Sequence, residues 1–198
     1  MYLSFSAFLE RTGISAFFID LANSVAGASA GGPAKVAVLS SALCGMVSGS
    51  SVGNTVTTGS VTIPMMKKTG YKSDFAGAVE AAASTGGQIM PPIMGAAAFL
   101  MAEYMGVTYA EVALRAILPA ILYFTGIYIA VHLEAKKLGL KGMPKDQLPV
   151  FGKLIKKVYL LFPIVLLVVM VSTNTRTMQF SAAVAILATI FVGVLNRD

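Results

Sequence analysis

Charge is scarce in this chain: Asp, Glu, Lys and Arg make up 12% of its 198 residues, about half the share found in an ordinary soluble domain. Hydrophobic residues make up 56%. A water-soluble globule of this composition is not expected. The 15 Lys and Arg outnumber the 9 Asp and Glu, but they are bunched and leave long uncharged intervals. A nucleic-acid binder would gather its basic residues into a patch on a polar surface, whereas this layout is that of a multi-spanning membrane protein. The single cysteine, Cys44, excludes an intramolecular disulfide, and His132, the only histidine, has no Cys partner for a zinc site. With no paired carboxylates, no His cluster and no Ser/Lys arrangement, the sequence offers no enzyme chemistry and calls for no cofactor. A signal peptide is not evident either. The apolar start is interrupted by Glu10 and Arg11, with no basic n-region and no clear cleavage site.

What is present is a series of uncharged runs. A spanning helix needs about 20 mostly apolar residues, and five intervals approach that length: 36–66, 81–102, 116–133, 158–175 and 177–196. The last three read as plain transmembrane helices. Lys67, Lys68 and Lys72 follow the first interval, a Lys-rich stretch from Lys136 to Lys157 that includes Lys141, Lys145 and Lys153 precedes the fourth, and Arg197 follows the fifth. Positive loops stay on the cytoplasmic side, while the opposite loops carry only Arg115 and Arg176. This alternation closes with a cytoplasmic C-terminus.

The first interval does not fit a simple crossing. As one helix it would be about 46 Å long, against a hydrocarbon core of about 30 Å, and Lys35 and Lys67 at its two ends both favour the same side. A hairpin that enters and leaves on one face satisfies both demands, and composition says where it turns. Residues 45–62, GMVSGSSVGNTVTTGSVT, are mostly Gly, Ser and Thr with Asn54 in the middle. Such residues are poor lipid-facing material but can line a cavity or form an unwound turn within protein. A soluble linker would lack the apolar flanks, and a phosphate loop would need a Lys after its glycines.

The second interval, within FAGAVEAAASTGGQIMPPIMGAAAFLMAEYM, begins with small residues that allow close helix approach and then meets Pro91 and Pro92. Two adjacent prolines remove two backbone donors, so the helix kinks or breaks there. Carbonyls freed within a membrane need neighbours, water or an ion, and broken helices near the midplane are where many secondary transporters bind. Backbone carbonyls, hydroxyls and an amide suit a small hard cation such as Na⁺, and half-helix N-termini suit an anionic group. Glu80 lies near the start of this helix and reads as a snorkelling side chain rather than part of a proton relay. The many Met residues read as adaptable packing.

The run from GGPAKVAVLSSALCGMVSGSSVGNTVTTGSVTIPMMKKTG through AASTGGQIMPPIMGAAAF closely resembles the large permease domain of tripartite ATP-independent periplasmic (TRAP) transporters. Within that family it looks most like the fused permeases that work with TAXI-type solute-binding proteins. The similarity extends over about residues 5–149, including VHLEAKKLGL. It implies an all-α ion-transporter fold in which an elevator-like transport domain carries re-entrant hairpins and discontinuous helices. Laid on this chain, it implies an N-terminal helix in 1–32, a re-entrant hairpin in 33–66 and a discontinuous transmembrane helix in 73–106. Transmembrane helices in 108–135, 158–175 and 177–196 follow, with a cytoplasmic connection in 136–157.

The resemblance also assigns roles. Ser48, Gly49, Ser50, Ser51 and Asn54 would form the hairpin tip. Ser51 and Asn54, with carbonyls of Gly87 and Met90, would hold Na⁺. Gly86, Gln88 and Pro91 would belong to the broken segment beside them, and Thr57 and Thr58 would sit just beyond the tip. A Gly at 53, where relatives often have Ala, would loosen the hairpin slightly. Family permeases carry a second repeat, and fused members also carry a small permease portion. The resemblance therefore implies a fragment or truncated reading frame covering the first repeat, which would not transport by itself. The expected function is Na⁺-driven import of an organic acid delivered by a periplasmic binding protein. The rival expectation is a channel or structural membrane subunit that uses its small residues for helix contacts alone.

Overall fold

The computed structural model describes residues 5, 8–144, 148–149, 151–172 and 178–196. Lys145, Arg176 and Arg197, which entered the topology argument, lie outside the described residues, as do the ends of the expected spans at 175 and 177. Among the described residues every regular element is helical, and the chain is an all-helical protein. Helix α1 spans Ile14–Ala26, α2 Gly32–Ser48, α3 Ser51–Thr69 and α4 Ser73–Gly86. A 3-10 turn, Gly87–Ile89, follows α4 directly. Next come α5, Ala96–Met105, and α6, Tyr109–Lys137. A short α7, Phe151–Ile155, and a 3-10 turn, Val158–Leu161, lead to α8, Phe162–Ser172, and α9 is Met178–Leu195.

Helices α2 and α3 are antiparallel arms joined by Gly49 and Ser50 alone. Gly49 ends α2 in the left-handed region at φ +58°, with its N–H bonded to the Gly45 carbonyl. A side chain there would be strained and would run into the carbonyl of Met94. Ser50 then caps α3, its hydroxyl accepting from Gly53 N–H at 3.2 Å. At 1.5 Å per residue the arms are about 26 and 28 Å long, close to the thickness of a hydrocarbon core.

At the other end of the hairpin, Lys35 and Lys67 lie on the same side, but only Lys67 is exposed. Lys35 is 4% exposed, donates to Ser29 Oγ at 3.1 Å and lies over the Tyr128 ring at 5.4 Å. Tyr71, after α3, closes this base by donating to the Gly31 carbonyl at 3.5 Å and stacks on Phe75. Burial, and after it the Glu134 carboxylate, push the Tyr71 phenol up to about 12.

The arms pack against α1 on one side and α4 and α6 on the other. One apolar cluster joins Phe17 and Phe18 of α1 to Val47 of α2 and to Ile164 and Leu167 of α8. A second joins Ala37 and Val38 of α2 to Met66 of α3, Val79 and Ala83 of α4 and Phe124 of α6. Among the described residues, α6 alone is long and apolar enough to cross a membrane by length and composition. Its outer face shows Leu114, Leu118 and Leu122 at 63–67% exposure. Helix α8 is described over 11 residues and α9 over 18.

The expected discontinuity in 73–106 is a break of six residues. Helix α4 tightens into the 3-10 turn, the chain then runs irregularly over 90–95 with a cis Pro91–Pro92 bond, and α5 resumes. Neighbours take up the freed backbone groups. Ile93 N–H donates to the Met46 carbonyl at 3.3 Å, Gly95 N–H to the Gln88 carbonyl at 2.7 Å, and the Tyr109 hydroxyl lies 2.9 Å from the carbonyls of Pro92 and Ile93. Glycine permits the closest approach, where Gly45 of α2 meets Gly87. A Cβ on either residue would collide with the other's Cα.

Gly45→Ala and Gly87→Ala should each destabilise the protein by about 1–3 kcal/mol through overpacking, whereas Gly126→Ala, which meets nothing within 4 Å, should be neutral or stabilising by up to ~1 kcal/mol. Thermal unfolding in detergent separates these cases. The raised Tyr71 phenol contributes stability that is fully present below about pH 10 and lost as pH rises through about 12. Tyr71→Phe should therefore flatten the fall in melting temperature across that window.

Candidate functional site

The tip of the hairpin meets the broken helix through side chains as well as backbone. Gln88 Nε2 donates to Ser51 Oγ at 2.7 Å, linking the first residue of α3 to the 3-10 turn. Asn54, one turn further along α3, is fully buried. Its amide orientation is fixed by chemistry, because Nδ2 donates to the Ser41 carbonyl at 2.8 Å, and a carbonyl can only accept. The other end of the amide, Oδ1, has no hydrogen-bond partner. Asn23 Oδ1 and His132 Nδ1 are the other buried polar side-chain atoms in this state among the described residues. A buried acceptor left without a donor costs about 1–3 kcal/mol, so Oδ1 is suited to receiving a hydrogen-bond donor or a cation. The Asn54 amide also lies against the break, since a Cβ on Gly87 would stand 3.1 Å from Nδ2.

The structure thus brings Ser50, Ser51, Asn54, Gly87 and Gln88 into one place. Ser48 serves the turn itself, its hydroxyl lying 3.4 Å from the Ser50 carbonyl and 3.5 Å from the Ser50 nitrogen. Gly49 provides the close approach to Met94, and Gly86 lies under the rings of Tyr123 and Phe124. Met90 packs against the α2–α4–α6 cluster. Pro91 lines an apolar cavity of about 240 Å³ with Tyr109, Leu114 and Leu167. Thr57 bonds back to the Gly53 carbonyl at 2.9 Å. These contacts give Met90, Pro91 and Thr57 no direct share in the Ser51–Asn54–Gly87 cluster.

Thr58 leads instead to a second cluster that the sequence reading missed. Glu80 does not snorkel: its side chain is completely buried, at 0% exposure. Ser41 Oγ of α2 donates to Oε1 at 3.1 Å, and Ser84 Oγ of α4 donates to the same oxygen at 3.0 Å. The Thr58 hydroxyl of α3 makes a short hydrogen bond to Oε1 and the Thr62 hydroxyl another to Oε2. Four hydroxyls from three helices therefore surround one carboxyl group. The signal was in the spacing. Thr58 and Thr62 are four residues apart on one helix, as are Glu80 and Ser84 on the next, and i, i+4 pairs share a face. An acid whose own helix face carries a hydroxyl points toward other polar groups, not outward to water.

The two clusters are wired together. Ser41 accepts from Asn54 through its carbonyl and donates to Glu80 through its hydroxyl. The Thr58 hydroxyl lies 2.8 Å from the Asn54 carbonyl as well as against Glu80. Among the described residues no three His, Cys, Asp or Glu side chains converge on a metal position. The donors at the tip are neutral oxygens, which suit a hard cation better than zinc or iron.

Comparison with known proteins decides what this hairpin belongs to. The family model described as "Tripartite ATP-independent periplasmic transporter, DctM component" matches residues 1–198. The chain belongs to this family. A C4-dicarboxylate TRAP transporter large permease protein of Pseudomonas aeruginosa is 29% identical over 150 residues, covering 74% of this chain and 34% of the relative. A putative TRAP transporter large permease protein of Haemophilus influenzae is 31% identical over 137 residues, covering 69% and 32%. An isethionate TRAP transporter permease protein of Oleidesulfovibrio alaskensis is 26% identical over 146 residues, covering 74% and 23%. The chain spans about a third or less of the length of these curated relatives. It is a membrane-transporter permease component by family, and its named relatives are permeases, not enzymes.

Glu80→Ala would leave Ser84 without its acceptor, while Ser41 could turn to the Thr58 hydroxyl at 3.1 Å and Thr58 and Thr62 to helix carbonyls at 2.8 and 3.0 Å. The expected loss is about 2–4 kcal/mol, against ~0.5 kcal/mol or less for a solvated glutamate. Thermal unfolding in detergent distinguishes the two.

Proposed function

We propose that this chain is the part of a TRAP large permease that carries one cation-binding re-entrant hairpin, in a transporter that couples inward Na⁺ movement to import of an organic acid. The observation that carries the reading is the buried, unpartnered Oδ1 of Asn54. Ser51 lies one turn earlier on α3, and the Gly87 backbone lies across the interface beside the Nδ2 end of the same amide. Asn54 Oδ1, Ser51 Oγ and carbonyls of the turn at Gly87 would be the first ligands of Na⁺. Met90 enters through its backbone carbonyl, its side chain packing with the α2–α4–α6 cluster.

The expected chemistry is substitution of protein oxygens for the hydration shell of the ion. An ion bridging the tip and the break ties the hairpin to the broken helix. The tied state has no unsatisfied acceptor to oppose its passage through an apolar surround, whereas the ion-free state leaves Asn54 Oδ1 buried and unpaired. Elevator-type alternating access follows if movement is allowed only in the tied state. The organic-acid substrate would be delivered by a periplasmic solute-binding protein, of the TAXI type on the sequence resemblance. A small permease portion and the remaining half of the large permease would complete the machine. The location is the cytoplasmic membrane of a bacterium or archaeon, with several crossings, a cytoplasmic C-terminus and anionic lipid near the Lys-rich connection.

In the complete permease reconstituted with its binding protein, Asn54→Ala should raise the Na⁺ concentration for half-maximal uptake at least tenfold. An unchanged Na⁺ titration would remove Asn54 from the site. Wild-type uptake that needs neither binding protein nor Na⁺ gradient would replace the transporter reading with a channel.

A further inference from the structure

A fully buried carboxylate needs its charge answered. The four hydroxyls around Glu80 supply hydrogen bonds but no net charge. Among the described residues the ion pair that forms is Lys137 with Glu134, far along α6, and Glu80 has no basic partner. Ser41 and Ser84 lie 3.1 and 3.0 Å from Oε1, and Thr58 and Thr62 bond to the acid as well. All four hydroxyls are thus engaged as hydrogen-bond donors to the carboxyl group. An orphaned oxygen on α3, outside this cage, offers a place for the balancing charge.

That oxygen is Asn54 Oδ1, one helical turn before Thr58. It is tied to Glu80 by two routes, through the carbonyl and hydroxyl of Ser41 and through the Thr58 hydroxyl shared with the Asn54 carbonyl. We propose that Glu80 is the buried counter-charge of the monovalent cation held at Asn54, and the positioning residue that keeps the Asn54 amide turned with Oδ1 toward that cation. The inference rests on the cation reading given above and extends it to a residue that does not touch the ion. Glu80 holds Ser41 in place, Ser41 holds Asn54 Nδ2, and the orientation of the amide follows. In an interior of low effective dielectric the carboxylate also attracts the cation across roughly one turn of helix, where water would have screened it.

Glu80→Gln separates charge from shape. The Gln amide fits the same space, its oxygen can accept from Ser41 and Ser84, and its nitrogen can donate to Thr62 Oγ1 once the Thr62 proton turns to the Thr58 carbonyl at 3.0 Å. Two readouts on the complete permease decide the matter. The first is the rise in melting temperature in detergent when NaCl replaces choline chloride, since a ligand that binds only the folded state stabilises it. The second is uptake into proteoliposomes, titrated with Na⁺ at saturating substrate and with substrate at saturating Na⁺.

Glu80→Gln should abolish most of the NaCl-specific melting shift and raise half-saturating Na⁺ at least tenfold, with substrate KM at saturating Na⁺ within twofold of wild type. A purely structural Glu80 would lower the melting temperature in both salts and leave half-saturating Na⁺ within twofold, and that result overturns the proposal. Should Glu80→Gln fail to fold, Glu80→Asp decides. It keeps the charge but withdraws it by one methylene, so half-saturating Na⁺ should rise threefold or more, and a value within twofold again overturns the proposal. Wild-type protein with neither a NaCl-specific melting shift nor Na⁺-dependent uptake would remove the underlying cation reading itself, a failure visible before any variant is made.

Discussion

The Glu80 carboxylate, sealed from water among hydroxyls of α2, α3 and α4, sets the terms on which the rest of the hairpin can pack. Hydrogen bonds of about 3 Å from three different helices leave no room for bulky residues between those helices. The composition obeys. Helix α4 is mostly Ala, Gly and Ser on the side toward the arms, and Gly59 of α3 lies directly under the acid, where a Cβ would stand 3.0 Å from Glu80 Cγ. Small residues that read as a generic helix-contact pattern thus have a particular task, bringing hydroxyls within reach of one acid. Burying the acid is costly, and the packing is the means by which that cost is contained.

The break at 90–95 presents the same problem for the backbone. Pro91 and Pro92 cannot donate, and groups exposed by the interruption need partners in any environment without water. The chain supplies them from three directions: Met46 of the hairpin, Gln88 of the preceding turn, and Tyr109 at the start of α6. The bond to Met46 also ties the break to the hairpin, near where Gly87 meets Gly45 and Asn54. The Gly45–Gly87 approach is then a consequence of two local necessities meeting, and it leaves Asn54 Oδ1 as the unsatisfied side-chain group at the junction.

Much of this was legible in the sequence because it rests on local chemistry. A Gly-Ser turn between apolar arms, a Pro-Pro interruption and an Asn amid small polar residues each act through their own backbone, and the hairpin and break stand where composition put them. Family membership was legible for the same reason, since the motifs that carry it are those segments. Glu80 was misread because a charge near a helix start is compatible with both solvent and burial, and which applies depends on how α4 rotates against α2 and α3. Lys35 was assigned only a side, and nothing in the sequence signalled its burial against Tyr128. Met90, Pro91 and Thr57 were grouped with the tip by family resemblance, and their side chains have other contacts. At a helix break, proximity along the chain does not determine which way a side chain faces.

The outer surface and the inner clusters ask for opposite solvents, and a bilayer reconciles them. Leu and Ile cover the outward face of α6, an apolar expanse that water would penalise and lipid would not. In the same surround a buried carboxylate without a compensating cation is at its most expensive. On the proposed assignment, one carboxylate and one monovalent cation sum to zero net charge, and the neutral donors at the tip add nothing to that balance. The hairpin region then suits an apolar environment only while the ion is bound. This gives a physical reason for coupling: on that assignment the bound ion cancels the charge that the protein encloses.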